Sequence, residues 1–195
     1  MSERVGAVVL AGGRSSRFGR DKLAEPVDGR PILDRAISAA RSVSGDVHVV
    51  VVLAPGDDRP LPVGVQRVTD PRAHEGPLAG LVTGLGALPD GLERVVVVGG
   101  DMPSLVPAVL DRLLAGLEPG VDATWLEGED RPRPLPMAVR RAPALALATA
   151  LSAAGERRLR ALPAALEAVI VPAATWRVLD PDGLTLRDVD VPTDL

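Results

Sequence analysis

Three strand-like stretches of this sequence stop at residues that could carry chemistry on phosphate groups. Residues 5–10 run into Ala11, Gly12 and Gly13, and the string continues Arg14-Ser-Ser-Arg17-Phe-Gly-Arg-Asp-Lys22. Glycines let backbone amides approach a phosphate closely, while Arg14, Arg17 and Lys22 supply positive charge. The spacing fits neither common glycine motif. Gly-x-Gly-x-x-Gly lacks its second alternating glycine, and in the Gly-x₄-Gly-Lys-Ser/Thr pattern Arg20 and Asp21 intrude before the lysine. A second stretch, Val65–Thr69, ends at Asp70 before Pro71, a pair that a turn alone would explain. A third, residues 95–98, ends at Gly99, Gly100 and Asp101. Asp101 could cap a following helix, yet Met102, Pro103 and Ser104 intervene before any helical pattern begins.

Lys22 stands out by count. Among 22 lysines and arginines it is the single lysine. Wherever a positive charge will do, this chain uses arginine, so the one exception marks a position that asks for an ammonium. Further along, Arg157, Arg158 and Arg160 form a basic cluster in a chain of net charge −4; such a run is ordinarily a solvated helix face. His48 sits in an apolar strand pattern and reads as structural, and His74 lies in the loop after Asp70.

These residues need elements to position them. The runs at 5–10, 47–53 and 95–98 read as buried parallel strands, with Val65–Thr69 and Ala123–Leu126 as shorter ones. Helical spacing appears at 31–43, 78–88, 106–117 and 143–154. Strand, glycine turn and helix alternate, which predicts an α/β fold with a mostly parallel sheet. In such sheets ligands bind beyond the carboxyl ends of the strands, where the three chemical segments fall. After residue 130 the texture changes: residues 131–136 alternate Arg and Pro and read as a candidate linker. Late strands are expected at 169–171 and 177–179. The whole chain, 1–195, reads as one domain, with a nucleotide half to about 130 and a second-substrate half from about 131.

Composition removes other classes. With 195 residues and no cysteine, disulfide scaffolds, thiolate metal sites and cysteine nucleophiles are excluded. The mild acidic excess and only three aromatic residues (Phe18, Trp125, Trp176) argue against nucleic-acid binding. No apolar run reaches the length of a membrane span, and the N-terminus makes a poor signal peptide, so a cytoplasmic location without membrane contact is expected.

The complete string at 10–22, Leu-Ala-Gly-Gly-x-Ser-x-Arg-Phe-Gly-x-Asp-Lys, resembles the signature of the molybdenum cofactor guanylyltransferases. The resemblance covers nearly the whole chain. Asp70 with 76–80 (Gly-Pro-Leu-Ala-Gly) is similar to the family's second block, and 100–103 (Gly-Asp-Met-Pro) to its metal-binding block. Residues 155–158 (Gly-Glu-Arg-Arg) resemble the C-terminal basic block, and 188–195 the closing Asn-x-Asn-Thr-Pro-Glu-Asp-Leu.

The resemblance implies a Rossmann-like sheet of nucleotidyltransferase type with helices on both faces. It implies transfer of GMP from GTP to molybdenum-molybdopterin, with Mg2+ as cofactor. Leu10, Ala11, Gly12, Gly13, Lys22, Asp70 and Asp101 would then bind the nucleotide. Lys22, Arg17 and Asp101 would be catalytic, Asp101 would hold the metal, and Arg157 and Arg158 would clamp the second substrate. Proteins that deliver the cofactor and molybdoenzymes that receive it are the implied partners. Gly12 stands where cytosine-using relatives carry alanine, which favours the larger purine. The chain departs from the pattern at its end, where Asp188 and Asp190 replace both asparagines and Val191 replaces threonine. Asp190 is thereby a candidate second metal contact. A cytidylyltransferase, a transferase acting on another phosphate or sugar phosphate, and a GTP-binding regulatory module are the alternatives.

Overall fold

The computed structural model describes residues 4–13, 18–71, 75–128 and 133–194. In chain order the elements are β1 (Arg4–Leu10), β2 (Pro26–Val27), β3 (Arg30–Pro31), α1 (Ile32–Arg41), β4 (Asp46–Leu53) and β5 (Val65–Thr69). Then come α2 (Pro77–Ala87), β6 (Arg94–Gly99), α3 (Pro107–Ala115), β7 (Ala123–Leu126), β8 (Arg133–Arg140), α4 (Arg141–Ala153), β9 (Ala168–Val171) and α5 (Ala173–Trp176). The short β2 and β3 pair with each other, and the other strands build one sheet in the order β5-β4-β1-β6-β8-β7-β9. β5, β4, β1 and β6 run parallel, β8 is antiparallel to both neighbours, and β7 and β9 are parallel again. The expected fold class is therefore the observed one.

Both faces of the central strands β4, β1 and β6 are covered, which is why these strands read as unbroken apolar runs rather than alternating ones. Ala7 and Val9 face a layer with Ile37 of α1 and Leu110 of α3, while Val8 between them faces Leu81 and Leu85 of α2. Gly84 lets α2 come close. A Cβ there would lie 2.5 Å from Val8 Cγ1 and 2.9 Å from Val52 Cγ2. The glycine that weakens α2 by about 1 kcal/mol of propensity is thus required by its packing on the sheet.

Two expectations are corrected. Residues from Arg133 onward form no linker; they begin β8, an interior strand between β6 and β7. Pro134 and Pro136 are tolerated because the ladder skips them: pairing passes from Trp125 with Met137 to Leu126 with Arg133, a bulge that demands no amide from either proline. Residues 177–179 form a turn instead of a strand. Pro172 starts the single turn of α5, and Leu179 N donates to Trp176 O. Trp176 supplies the burial, with its indole N–H bonded to Glu127 O, while Val178 and Leu179 stay exposed. Helix ends differ by one or two residues from the spacing-based limits, as fraying ends do. Among the described residues no helix is long and apolar enough to cross a membrane.

Candidate active site

Backbone hydrogen bonds pin the chemically equipped strand ends to one another. Ala11 N donates to Val52 O at 2.9 Å, Gly100 N to Leu10 O at 2.8 Å, and Asp70 N to Leu53 O at 3.0 Å. The ends of β1, β4, β5 and β6 thereby frame a cavity of about 480 Å³. Leu10, Ala11, Gly12, Gly13, Lys22, Asp70 and Asp101 all line it. Arg17, like Arg14, His74 and Arg131, lies outside the described residues.

Lys22 opens a short 3-10 turn whose preceding residue, Asp21, accepts a hydrogen bond from Leu23 N at 3.2 Å. Its ammonium donates to Asp101 Oδ2 at 2.8 Å and to Val189 O at 2.9 Å, and lies 3.6 Å from Asp190 Oδ1. The lysine side chain is 11% exposed, so three segments distant in sequence converge on a nearly dry cation. Asp101 is accommodated by the glycine two residues before it: a Cβ on Gly99 would sit 2.6 Å from Asp101 Oδ1. Gly12 and Gly13 differ in kind. A Cβ on Gly12 would meet nothing closer than 3.7 Å, and one on Gly13 nothing within 4 Å, so the space they leave opens to a ligand.

The closing segment adds negative charge on this side. Burial pushes the Asp188 carboxyl above its ordinary value, and the charges of Asp190 and Asp101 push the same way, against Arg133. The donor set suits a hard cation. Among the described residues no three or more carboxylates or histidines could hold a metal by themselves. Mg2+ asks for less, commonly one or two carboxylates with waters and substrate phosphate oxygens completing its shell, and Asp101 offers such a contact.

On the opposite wall Asp70 is buried and receives a hydrogen bond from Thr83 Oγ1 at 3.4 Å. The N-terminus of α2, with Gly76 and Pro77, completes this wall and brings the positive end of the helix dipole to the cavity. Gly76 has φ 93°, and a Cβ on it would collide with Arg157 O at 2.6 Å. Leu78 N donates to the same carbonyl at 3.2 Å. The Arg157–Arg158 pair is thus docked on the start of α2, beside the cavity rim, and neither arginine lines the cavity. Glu156 organises the pair by accepting from Arg157 N at 2.8 Å, Arg158 N at 2.9 Å and Arg158 Nε at 3.2 Å.

Arg158, followed by the two backbone amides, lowers the Glu156 carboxyl from 4.5 to about 2. A depressed carboxylate contributes stability present above its unfolded value and lost as pH falls through the folded one. The 155–158 loop should therefore hold at pH 5 and loosen toward about pH 2, the folded value. A carbon-13 titration of the Glu156 carboxyl should show a midpoint near 2; a midpoint at the ordinary 4.5 would contradict these bonds.

Spacing alone did not reveal Leu135, Val189 or Thr83. Leu135 arrives on the reversed strand β8, and Val189 acts through its carbonyl, for which no side chain signals. Thr83 had a weak signal, lying one helical turn beyond Gly80 on the cavity-facing side of α2.

Residues 7–169 match the model of the MobA-like NTP transferase domain. A probable molybdenum cofactor guanylyltransferase of Chloroflexus aggregans is 33% identical over 96% of this chain and 90% of its own length. Another from Deinococcus radiodurans is 37% identical over 85% of this chain and 82% of its own. Among solved structures, molybdopterin-guanine dinucleotide biosynthesis protein A of Archaeoglobus fulgidus superposes with a TM-score of 0.77 at 22% identity, covering 97% and 94% of the two chains.

Proposed function

Since the chain belongs to the MobA-like NTP transferase family of nucleotidyltransferases, we propose that it transfers GMP from GTP to molybdenum-molybdopterin and releases pyrophosphate. The observation that carries this reading is the Lys22–Asp101 pair, 2.8 Å apart in a cavity also lined by Gly12 and Gly13. A terminal phosphate of the acceptor attacks the α-phosphorus of the nucleotide, so the obstacles are charge repulsion and alignment. No covalent enzyme intermediate is needed, and the chain has no cysteine to form one.

The protein's own groups meet these obstacles in distinct ways. The amides of Gly12 and Gly13 cradle phosphate oxygens, and Lys22 offsets the charge that grows on the departing pyrophosphate. Asp70, held by Thr83, accepts hydrogen bonds from the nucleoside, and Gly12 leaves room for a purine. Asp101 would hold a divalent cation, which would supply positive charge to neutralise the negative charge that grows during transfer. Arg157 and Arg158, beside the cavity rim, serve the anionic acceptor, with Arg17 as a further cation for the triphosphate.

Pyrophosphate release with GTP, CTP, ATP and UTP, each with and without molybdopterin cofactor and Mg2+, tests the proposal. Turnover should require GTP and the acceptor together. Equal or greater turnover with CTP would overturn the guanine assignment. GTP binding without any turnover would favour a regulatory module.

A further inference from the structure

We propose that Arg59 is a positioning residue for Lys22, tying the turn that carries the lysine to the loop that follows β4. The inference rests on the reading of Lys22 as the phosphate-facing cation. Arg59 lies in neither glycine segment and is not among the residues that line the cavity, and no sequence pattern marks it.

The geometry is a relay of anchored groups. Arg59 Nε and Nη2 hold the Asp57 carboxylate at 2.6–2.9 Å, which fixes the guanidinium within its own loop. Its two terminal nitrogens then reach Asp21 Oδ1 at 3.4 Å. Asp21 in turn caps the turn through Leu23 N, and the residue between them is Lys22. The far side of the relay is rigid as well. Arg67, on strand β5, donates to Asp57 O at 2.6 Å and to Arg59 O, so the 57–59 loop is nailed to the sheet.

Charge supports the same arrangement. Burial raises the Asp57 carboxyl, yet bonds to Arg59 outweigh it and leave the group below its ordinary value. The Arg59 side chain is 20% exposed, and its planar fork engages Asp57 and Asp21 through several nitrogens, where a lysine would offer a single one. Lys22 must deliver its ammonium at the cavity side of Asp101, and a displacement of about 1 Å in such a group can cost about a hundredfold in rate. Arg59 limits that displacement from the solvent side, as Asp101 and Val189 O limit it from the inside.

Because Lys22 is the only lysine, its reactivity toward an amine acylating reagent can be read by mass spectrometry, separately from the N-terminal amine. The probe is sulfosuccinimidyl acetate, applied to the full chain well below its melting temperature. In Arg59→Ala, Lys22 should acylate about fivefold faster or more, as the turn opens more often. Asp21→Asn keeps the cap acceptor but loses the ion pair, so it should raise the rate similarly. The double variant should add little to either single one. With GTP and acceptor, kcat should fall about tenfold in Arg59→Ala while KM for GTP stays within about twofold.

Unchanged acylation in both single variants would overturn the proposal, as would fully additive effects in the double variant. A role confined to folding would lower the melting temperature and leave acylation of the folded protein unchanged, which also overturns it. If the native protein shows no GTP turnover, the acylation rates still decide the positioning role, and only the proposed reaction fails.

Discussion

Lys22→Ala should lower GTP-dependent pyrophosphate release by about 10²–10³-fold, the range seen when one preorganised stabiliser of developing charge is removed. Lys22 is the only lysine in the chain, and its contacts with Asp101 and Val189 O hold it in one place before any substrate arrives. Its removal also leaves Val189 O without this donor and takes positive charge away from Asp101 and Asp190. An orphaned acceptor of this kind costs about 1–3 kcal/mol, so a lower melting temperature should accompany the loss of rate. Lys22→Arg should not restore turnover. A guanidinium is larger and planar, and the space between Asp101 and Val189 O is shaped for a compact ammonium. Rapid-quench measurement of pyrophosphate formation, at saturating GTP and acceptor, separates the chemical step from binding. Turnover of Lys22→Ala within about threefold of native would remove the lysine from the catalytic role; a drop confined to KM would make it a binding group only.

The sequence reveals the parallel core of the fold because physics leaves little choice there. Runs such as residues 49–53, buried on both faces, have no other stable destination in a chain of this size. The stops at Gly12, Gly99 and Asp70 then fall together once strand direction is known, since parallel strands deliver their carboxyl ends to one edge. Legibility fails where a contact depends on direction reversal or on backbone atoms. Residues 131–136 look like a linker because proline weakens strand patterns, and only the bulge opposite Trp125 and Leu126 shows how an interior strand accommodates them. The 177–179 segment is apolar at two positions, yet Trp176 takes the buried site and leaves Val178 to solvent. Sequence resemblance links Arg157 and Arg158 to the second substrate; it gives no hint that the Arg157 carbonyl is the surface on which Gly76 closes. The blocks around 76–80 and 155–158 are therefore one structural unit, joined through Leu78 N, although nearly eighty residues separate them.

Asp101→Asn should abolish most Mg2+-dependent turnover, by about 10²-fold or more, while leaving the fold nearly intact. The substitution is isosteric. Asparagine keeps an oxygen that can accept from Lys22 Nζ, and it needs no more clearance beside Gly99 than aspartate does. The Asp101 side chain is 32% exposed at a strand-end turn, so the core does not depend on its charge, and the melting temperature should move little. What the variant loses is the negative charge that makes this oxygen a ligand for a hard cation. It also relieves repulsion, because Asp101 is one of the charges that push Asp188 upward. Losing the counter-charge of Lys22 works against that relief, so stability and activity should part company: the melting temperature lowered only modestly, turnover lost. Titrating Mg2+ in the pyrophosphate assay reads the cause directly. If Asp101 holds the cation, the variant's activity at any fixed Mg2+ concentration should be lower and its half-saturating Mg2+ concentration higher than native. Near-native turnover with an unshifted Mg2+ dependence would take Asp101 out of the metal site. Asp190 would then become the carboxylate to test next, because its Oδ1 lies 3.6 Å from Lys22 Nζ.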